Sequence, residues 1–204
     1  MFYETRRDDH GLPRDPFKSL IVPRPIGWIS TVSRAGIVNL APYSFFNAVA
    51  ENPPIVGFGP GGRKSDQPFK DSRANVEATG EFVCNLATYP LREAMNATSA
   101  SLPHGVDELA LAGLTPAPSR LVKPPRVKES PVHFECRYLQ TVELPSNDPD
   151  EPNALVLGEV IGIHIDDAML QDGRVDVLKL QPIARLGYAE YTVVDSKFAM
   201  RRPD

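Results

Sequence analysis

The chain has 204 residues, 22 basic and 26 acidic side chains and a net charge of −4. That length supports one domain, residues 1–204, with a full core, since a chain of this size hides roughly 70% of the surface its unfolded form exposes. A mild acidic excess without a basic stripe argues against nucleic acid as a partner, and no apolar run reaches the roughly 20 residues of a membrane helix.

The opening residues, Met1-Phe-Tyr-Glu-Thr-Arg-Arg-Asp-Asp-His10, lack the apolar stretch of a secretory signal, so a soluble, cytoplasmic protein is expected. Proline, 21 of 204 residues, falls at segment ends and cuts the chain into short pieces. The first strand is predicted over 26–32, with a tight turn at Gly36 and a hairpin-like partner after it. A second strand, 55–58, runs into glycines. The first helix, 68–79, starts after Ser65 or Asp66, carries Pro68 near its first turn and stops at Gly80.

A strand over 81–87 comes next. Leu91, Ala94 and Met95 lie at helical spacing in a helix over 90–98, and a shorter helix over 106–112 ends at Gly113. The run 132–143 alternates, with Val132, Phe134 and Cys136 on one side and His133, Glu135 and Arg137 on the other. A polar turn over 146–153 leads to strands over 154–165 and 175–180. Six strands with few helices predict a mostly-β fold, a β-barrel or sandwich with small flanking helices.

Two clusters carry the chemistry. Ser30, Thr31, Asn39, Ser44 and Asn47 donate or accept hydrogen bonds without charge, which suits a flat, polar-edged heterocycle. The segment Gly57-Phe-Gly-Pro-Gly-Gly-Arg-Lys-Ser-Asp-Gln-Pro-Phe-Lys-Asp-Ser72 joins glycines, Arg63, Lys64, Ser65 and a helix start, a donor set a phosphate needs. The same segment also reads as a surface turn followed by an N-cap. It is not a Walker A loop, because Arg63 stands where that pattern has glycine before Lys-Ser. Cys84 and Cys136 sit in apolar runs without a Cys-x-x-Cys spacing and read as packed, reduced thiols. His10, His104, His133 and His164 show no ligand spacing, and His104 lies in a loop that could reach a substrate. No nucleophile motif occurs.

The ordered set Arg24-Pro-Ile26, Ser30-Thr31, Gly36, Asn39-Leu-Ala-Pro-Tyr-Ser-Phe-Phe-Asn47, Pro53-Pro54, Lys70-Asp71-Ser72, Asn75 and Phe82-Val-Cys-Asn85 resembles the flavin reductase-like family of FMN-binding split barrels. Segments Asp107-Glu-Leu-Ala-Leu-Ala-Gly-Leu114 and Pro182-Ile-Ala-Arg-Leu-Gly-Tyr188 extend the likeness over roughly residues 12–191; Ser72 replaces the family's common threonine and keeps its hydroxyl. The resemblance implies that Trp28, Ile29, Ser30 and Thr31, with Ser44, Phe45 and Asn47, border the isoalloxazine and ribityl groups of FMN. It implies that Ser65, Lys70 and Ser72 approach the phosphate while Asp71 fixes Lys70 or caps the helix. Trp28 could stack near the ring or serve as core. The implied activity is an oxidoreductase in which NADH or NADPH reduces FMN and electrons pass to a second, unspecified acceptor, in a homodimer. An FMN electron-transfer protein reduced by a protein partner, and a nonenzymatic binder of a phosphorylated ligand, are the alternatives.

Overall fold

The computed structural model describes residues 1–5, 9–64 and 67–203. A short helix, α1 (Phe17–Leu20), precedes β1 (Arg24–Pro25). The predicted hairpin follows as β2 (Gly27–Val32) and β3 (Val38–Tyr43), turning through Gly36 at φ +84°. A second hairpin, β4 (Phe46–Glu51) and β5 (Pro54–Phe58), leads to α2 (Asp71–Thr79) and β6 (Glu81–Leu86). Helices α3 (Arg92–Ala97) and α4 (Glu108–Leu111) come next, then the small pair β7 (Pro116–Ala117) and β8 (Arg126–Val127). The long hairpin is β9 (Val132–Leu144) with β10 (Asn153–Ile165). The small pair β11 (Leu170–Gln171) and β12 (Arg174–Val175) precedes α5 (Val177–Leu180), and β13 (Ile183–Arg185) pairs with both β1 and β14 (Tyr191–Val193).

The main sheet has seven strands in the order β3-β2-β6-β9-β10-β5-β4, every neighbouring pair antiparallel. Its two edges, β3 and β4, are consecutive in the chain, and only Ser44 and Phe45 separate them. Opposite edges tied by so short a connector force the sheet to curl until they meet. Register shifts in the β9–β10 ladder at Leu157/Gly158 and Val160/Gly162 supply local bending. Among the described residues β3 and β4 do not pair with each other, so the barrel is split along that seam. Phe46 bridges the gap. A Cβ added to Gly27 would lie 2.5 Å from the Phe46 ring, so only glycine lets β2 approach β4 this closely.

The barrel interior holds Ile29, Tyr43, Phe58, Phe82, Cys84, Cys136 and Val156, and α2 adds Val76. Outside it, Trp28, Leu40, Met95 and Leu109 join β2 and β3 to α3 and α4 in a second core. Strand β2 is therefore covered on both faces, which explains its nearly unbroken burial. Helix α2 ends at Gly80 in the left-handed conformation, φ +77°, as predicted. Arg73 fixes it against β9 through an ion pair with Glu143, with its guanidinium 3.6 Å from the Phe69 ring centroid.

Two expectations change. Helix α2 begins at Asp71 rather than at 68, and the predicted strand over 175–180 is mostly helix α5. The Asp176 carboxylate accepts the Leu178 and Lys179 amides and so caps a helical turn instead of letting the strand continue. Among the described residues no helix is long and apolar enough to cross a membrane.

Candidate functional site

At the seam the molecule opens into a cleft of about 1020 Å³. One wall is the end of β3 and the connector: Pro42, Tyr43, Ser44 and Phe45. The segment after β5 forms another, with Gly59, Gly61, Gly62, Arg63, Lys64 and Lys70. The Gly59 amide donates to the Phe45 carbonyl at 2.7 Å, and the Gly62 amide to the Pro152 carbonyl at 2.9 Å, so glycine segment, connector and β9–β10 turn are held together. Gly62 sits at φ +80°, where a side chain would be strained. Arg24 and Arg185, from β1 and β13, line the remaining side.

The cations differ in their partners. Arg63 bonds Asp150 at 2.9 Å with both side chains well exposed, and Lys64 is ion-paired with Asp71. Lys70 has no carboxylate partner among the described residues. It occupies the N-cap of α2 in an extended conformation, φ −68° and ψ 150°, and makes no side-chain cap bond, so a lysine lining the cleft stands at the helix N-terminus.

A side chamber of about 370 Å³ adjoins this corner and shares Tyr43, Arg63, Lys64 and Lys70 with the main cleft. Asp71 and Glu108, each 4% exposed, line it. Burial pushes the Asp71 carboxyl up, but bonds from Lys64, His104 and Gln67 outweigh it and hold the group below the usual carboxylate range. His104 Nδ1 lies 2.7 Å from Asp71 Oδ1. Burial raises Glu108, although its Oε2 accepts the Leu40 amide at 3.1 Å. Tyr43 is pushed up to about 12, chiefly by burial, with a Ser72 hydrogen bond opposing and the Glu108 and Asp71 charges adding.

The predicted site residues separate into two groups. Ser44, Phe45 and Lys70 line the cleft and Asp71 the chamber. Asp71 pairs with Lys64, not with Lys70 as expected. Trp28, Ile29, Ser30 and Thr31 are fully buried and outside the lining of either space. The Trp28 ring offers no face for stacking: it lies in the second core, and its Nε1 donates to Thr98 Oγ1 at 2.9 Å. Ser30 Oγ donates to the Pro125 carbonyl at 2.6 Å, and Thr31 Oγ1 accepts from Asn75 Nδ2 at 3.0 Å. Ser72 is also turned inward, accepting from Asn39 Nδ2 at 2.9 Å. Asn47 is exposed on β4 and its Oδ1 takes the Ala48 amide. Ser65 lies outside the described residues.

Tyr43, Arg24 and Arg185 in the cleft and Glu108 in the chamber were not singled out from the sequence. All four stand inside the quoted motifs, but the approach of Arg24 to Leu186, 162 residues away in sequence, leaves no local signal.

Three comparisons bear on this geometry. Residues 19–187 match the model of the flavin reductase like domain. An uncharacterized protein of Aquifex aeolicus (strain VF5) is 41% identical, covering 84% of this chain and 85% of that protein. The crystal structure of nitrilotriacetate monooxygenase component B from Bacillus cereus superposes with a TM-score of 0.87 at 30% identity, covering 98% of each chain. Flavoredoxin of Desulfovibrio vulgaris (Miyazaki F) shares the fold, with a TM-score of 0.76 at 19% identity over 95% of this chain and 96% of that one.

Proposed function

The chain belongs to the flavin reductase-like domain family, and from that premise we propose an FMN-holding oxidoreductase that takes electrons from NADH or NADPH and passes them to a second acceptor. One observation carries the reading. A single cleft of about 1020 Å³ sets the Ser44 and Phe45 connector beside the corner of Arg63, Lys64 and Lys70. Ligand pockets commonly span roughly 300–1,000 Å³, so the space suits a ligand of this size. The donor set fits as well: an ammonium without a carboxylate partner among the described residues, at a helix N-terminus, suits a phosphate monoester. The half-exposed Phe45 and buried Tyr43 provide flat apolar walls for a ring.

In this scheme Lys70 and the first amides of α2 hold the phosphate, and Asp71 keeps Lys64 and His104 in position at the same corner. Tyr43, protonated at neutral pH, serves as a neutral wall and donor. FMN, when bound, supplies the hydride and electron chemistry itself. The protein's part is to bind, orient and limit access of water.

The same reading pairs two copies. Val49 on edge strand β4, with Leu139, Leu144 and Ile163 on the long hairpin, stays exposed, and an unprotected edge favours association. Light scattering is expected to give about twice the 22.4 kDa chain mass.

Anaerobic titration of the purified, FMN-loaded protein with NADH and then NADPH tests the function. Bleaching of the flavin by either nucleotide supports the reductase. Bleaching by dithionite but by neither nucleotide replaces it with an electron carrier served by a protein partner. A protein that takes up no flavin at all would sink the reading.

A further inference from the structure

Two arginines face each other across the three-stranded sheet β1-β13-β14. Arg24 and Arg185 are register partners in the β1–β13 ladder, and like charges directly opposite one another destabilise a strand pair. Neither has a carboxylate partner among the described residues. Arg24 donates to the carbonyls of Lys18, Ile21 and Leu186, the latter two at 2.8 Å, and Arg185 to the Tyr191 hydroxyl and the Tyr188 carbonyl. Those acceptors are neutral and leave both positive charges uncompensated.

Arg24 is only 6% exposed, and its Nε is buried without an acceptor. Burial, then the facing charge of Arg185, holds Arg24 below the ordinary arginine value. A buried donor without a partner, beside a repelling charge, is a costly arrangement that an anion would relieve.

Both arginines line the main cleft and neither lines the side chamber, whereas Arg63, Lys64 and Lys70 line both. The two groups of cations therefore serve different parts of the cleft. Around the arginines the walls are aromatic. The Arg24 guanidinium lies 6.0 Å from the Phe45 ring centroid. Tyr188 is held on the cleft wall by a backbone at φ +53°, unusual for a bulky residue.

We propose that Arg24 and Arg185 form a second anion subsite, separate from the Arg63, Lys64 and Lys70 corner, which receives the acidic group of a planar organic ligand lying against Phe45 and Tyr188. The proposal deepens the preceding reading and rests on it at one point: with FMN phosphate at the Lys70 corner, the arginine pair serves the second ligand. The shared chemistry is a flat ring bearing an anion. An aromatic carboxylate acting as electron acceptor supplies it, and so does the phosphate-bearing nicotinamide nucleotide.

Calorimetry of the full chain, FMN-loaded and flavin-free, with benzoate, benzamide and NAD⁺ as probes separates these cases. Arg185→Gln is the principal variant, because Arg24 also ties α1 to the segment after β13. Benzoate should bind at least about tenfold more tightly than benzamide, and Arg185→Gln should weaken it about ten- to a hundred-fold, as for loss of a charge-assisted bond. FMN affinity should stay within about twofold, because the phosphate contacts are elsewhere. The melting temperature should hold or rise as the like-charge contact disappears. A conservative Arg24→Lys variant should weaken benzoate without loss of folding.

Weakening of NAD⁺ alone also supports the subsite and assigns it to the nucleotide phosphates; weakening of benzoate alone assigns it to an organic acid. Failure of both benzoate and NAD⁺ to bind overturns the proposal. So does an unchanged affinity for both anions in Arg185→Gln, or an equal loss of FMN. If the wild type takes up no FMN, the proposed function fails. The flavin-free titration still decides the subsite, since Arg185-dependent binding of benzoate or NAD⁺ upholds it and the absence of both refutes it.

Discussion

Strand β2 and the stretch from the end of β3 to the start of α2 look alike in sequence, each mixing aromatic, hydroxyl and small residues. In the fold they do opposite work. Along β2, Trp28, Ser30 and Thr31 are fully buried, and each polar group finds its partner inside the protein: Thr98, Pro125 or Asn75. Along the second stretch, Phe45 is half exposed and Lys70 has no carboxylate partner among the described residues. Dense hydrogen-bonding capacity in a sequence therefore does not mark a ligand site. What marks it is capacity left over once the protein's own groups are paired.

The largest expected effect tests that division directly. Trp28→Ala should cost about 3–5 kcal/mol of stability, the range for a large aromatic removed from a packed core. It should also leave the Thr98 hydroxyl without its indole donor. Phe45→Ala should stay within about 0.5 kcal/mol, as for an exposed position. Denaturant unfolding of both flavin-free variants measures this, and comparable losses would erase the distinction between core and cleft aromatics.

Next comes pH. His133, 4% exposed, has Nε2 at 2.8 Å from the Val127 carbonyl and an Nδ1 without a partner. Burial, opposed by that carbonyl bond and reinforced by the Arg126 and His164 charges, lowers it to about 4. With the folded value below the unfolded one, the unfolded chain binds the proton first. The stability contribution is present above the ordinary histidine value of about 6.5 and is lost as pH falls toward 4, at up to about 1.4 kcal/mol per pH unit. Asp71, also depressed, adds a loss at still lower pH, as the carboxylate protonates through its folded value. A His133→Gln variant should flatten the slope between pH 6.5 and 4, read from unfolding midpoints; an unchanged slope would show that His133 is not its source.

Lys70 and Ser72 sharpen the comparison within a single tripeptide. Lys70→Ala removes a charge-assisted contact of about 1.5–3 kcal/mol and should weaken FMN by about ten- to a hundred-fold while riboflavin is unaffected. Ser72, buried and bonded by Asn39, should behave like β2. Its alanine variant should lower stability by about 1–3 kcal/mol and weaken FMN and riboflavin together, because the Asn39 donor loses its partner. Selective loss of FMN in Ser72→Ala would return that hydroxyl to the phosphate.

The same contrast explains what was legible in the sequence. The main strands and α2 were readable because their apolar periodicity and terminal glycine are local signals. Strand β4 was not, since its residues are nearly all exposed and no alternation marks a core face. The run at 175–180 misled because a short apolar stretch suits strand or helix equally, and the Asp176 cap decided the outcome. In the site, Lys70 could be found from its place before a helix. Arg24 and Arg185 could not, because their register pairing is made only when distant strands meet.

The smallest expected effect concerns the rim. The Arg63 to Asp150 ion pair joins the glycine segment to the β9–β10 turn, yet both side chains are about half exposed or more, at 49% and 70%. Such a pair contributes between about 0 and 1 kcal/mol, so Asp150→Asn should change stability little. It should nonetheless release Arg63 for a phosphate at the adjoining corner. FMN affinity should then rise about two- to fivefold, with riboflavin unmoved and the gain fading as added salt screens the exposed charge. Titration of both flavins at two ionic strengths reads all three signs. An FMN affinity unaltered by Asp150→Asn would make Arg63 a partner of the hairpin alone and leave the phosphate to Lys64, Lys70 and the amides of α2.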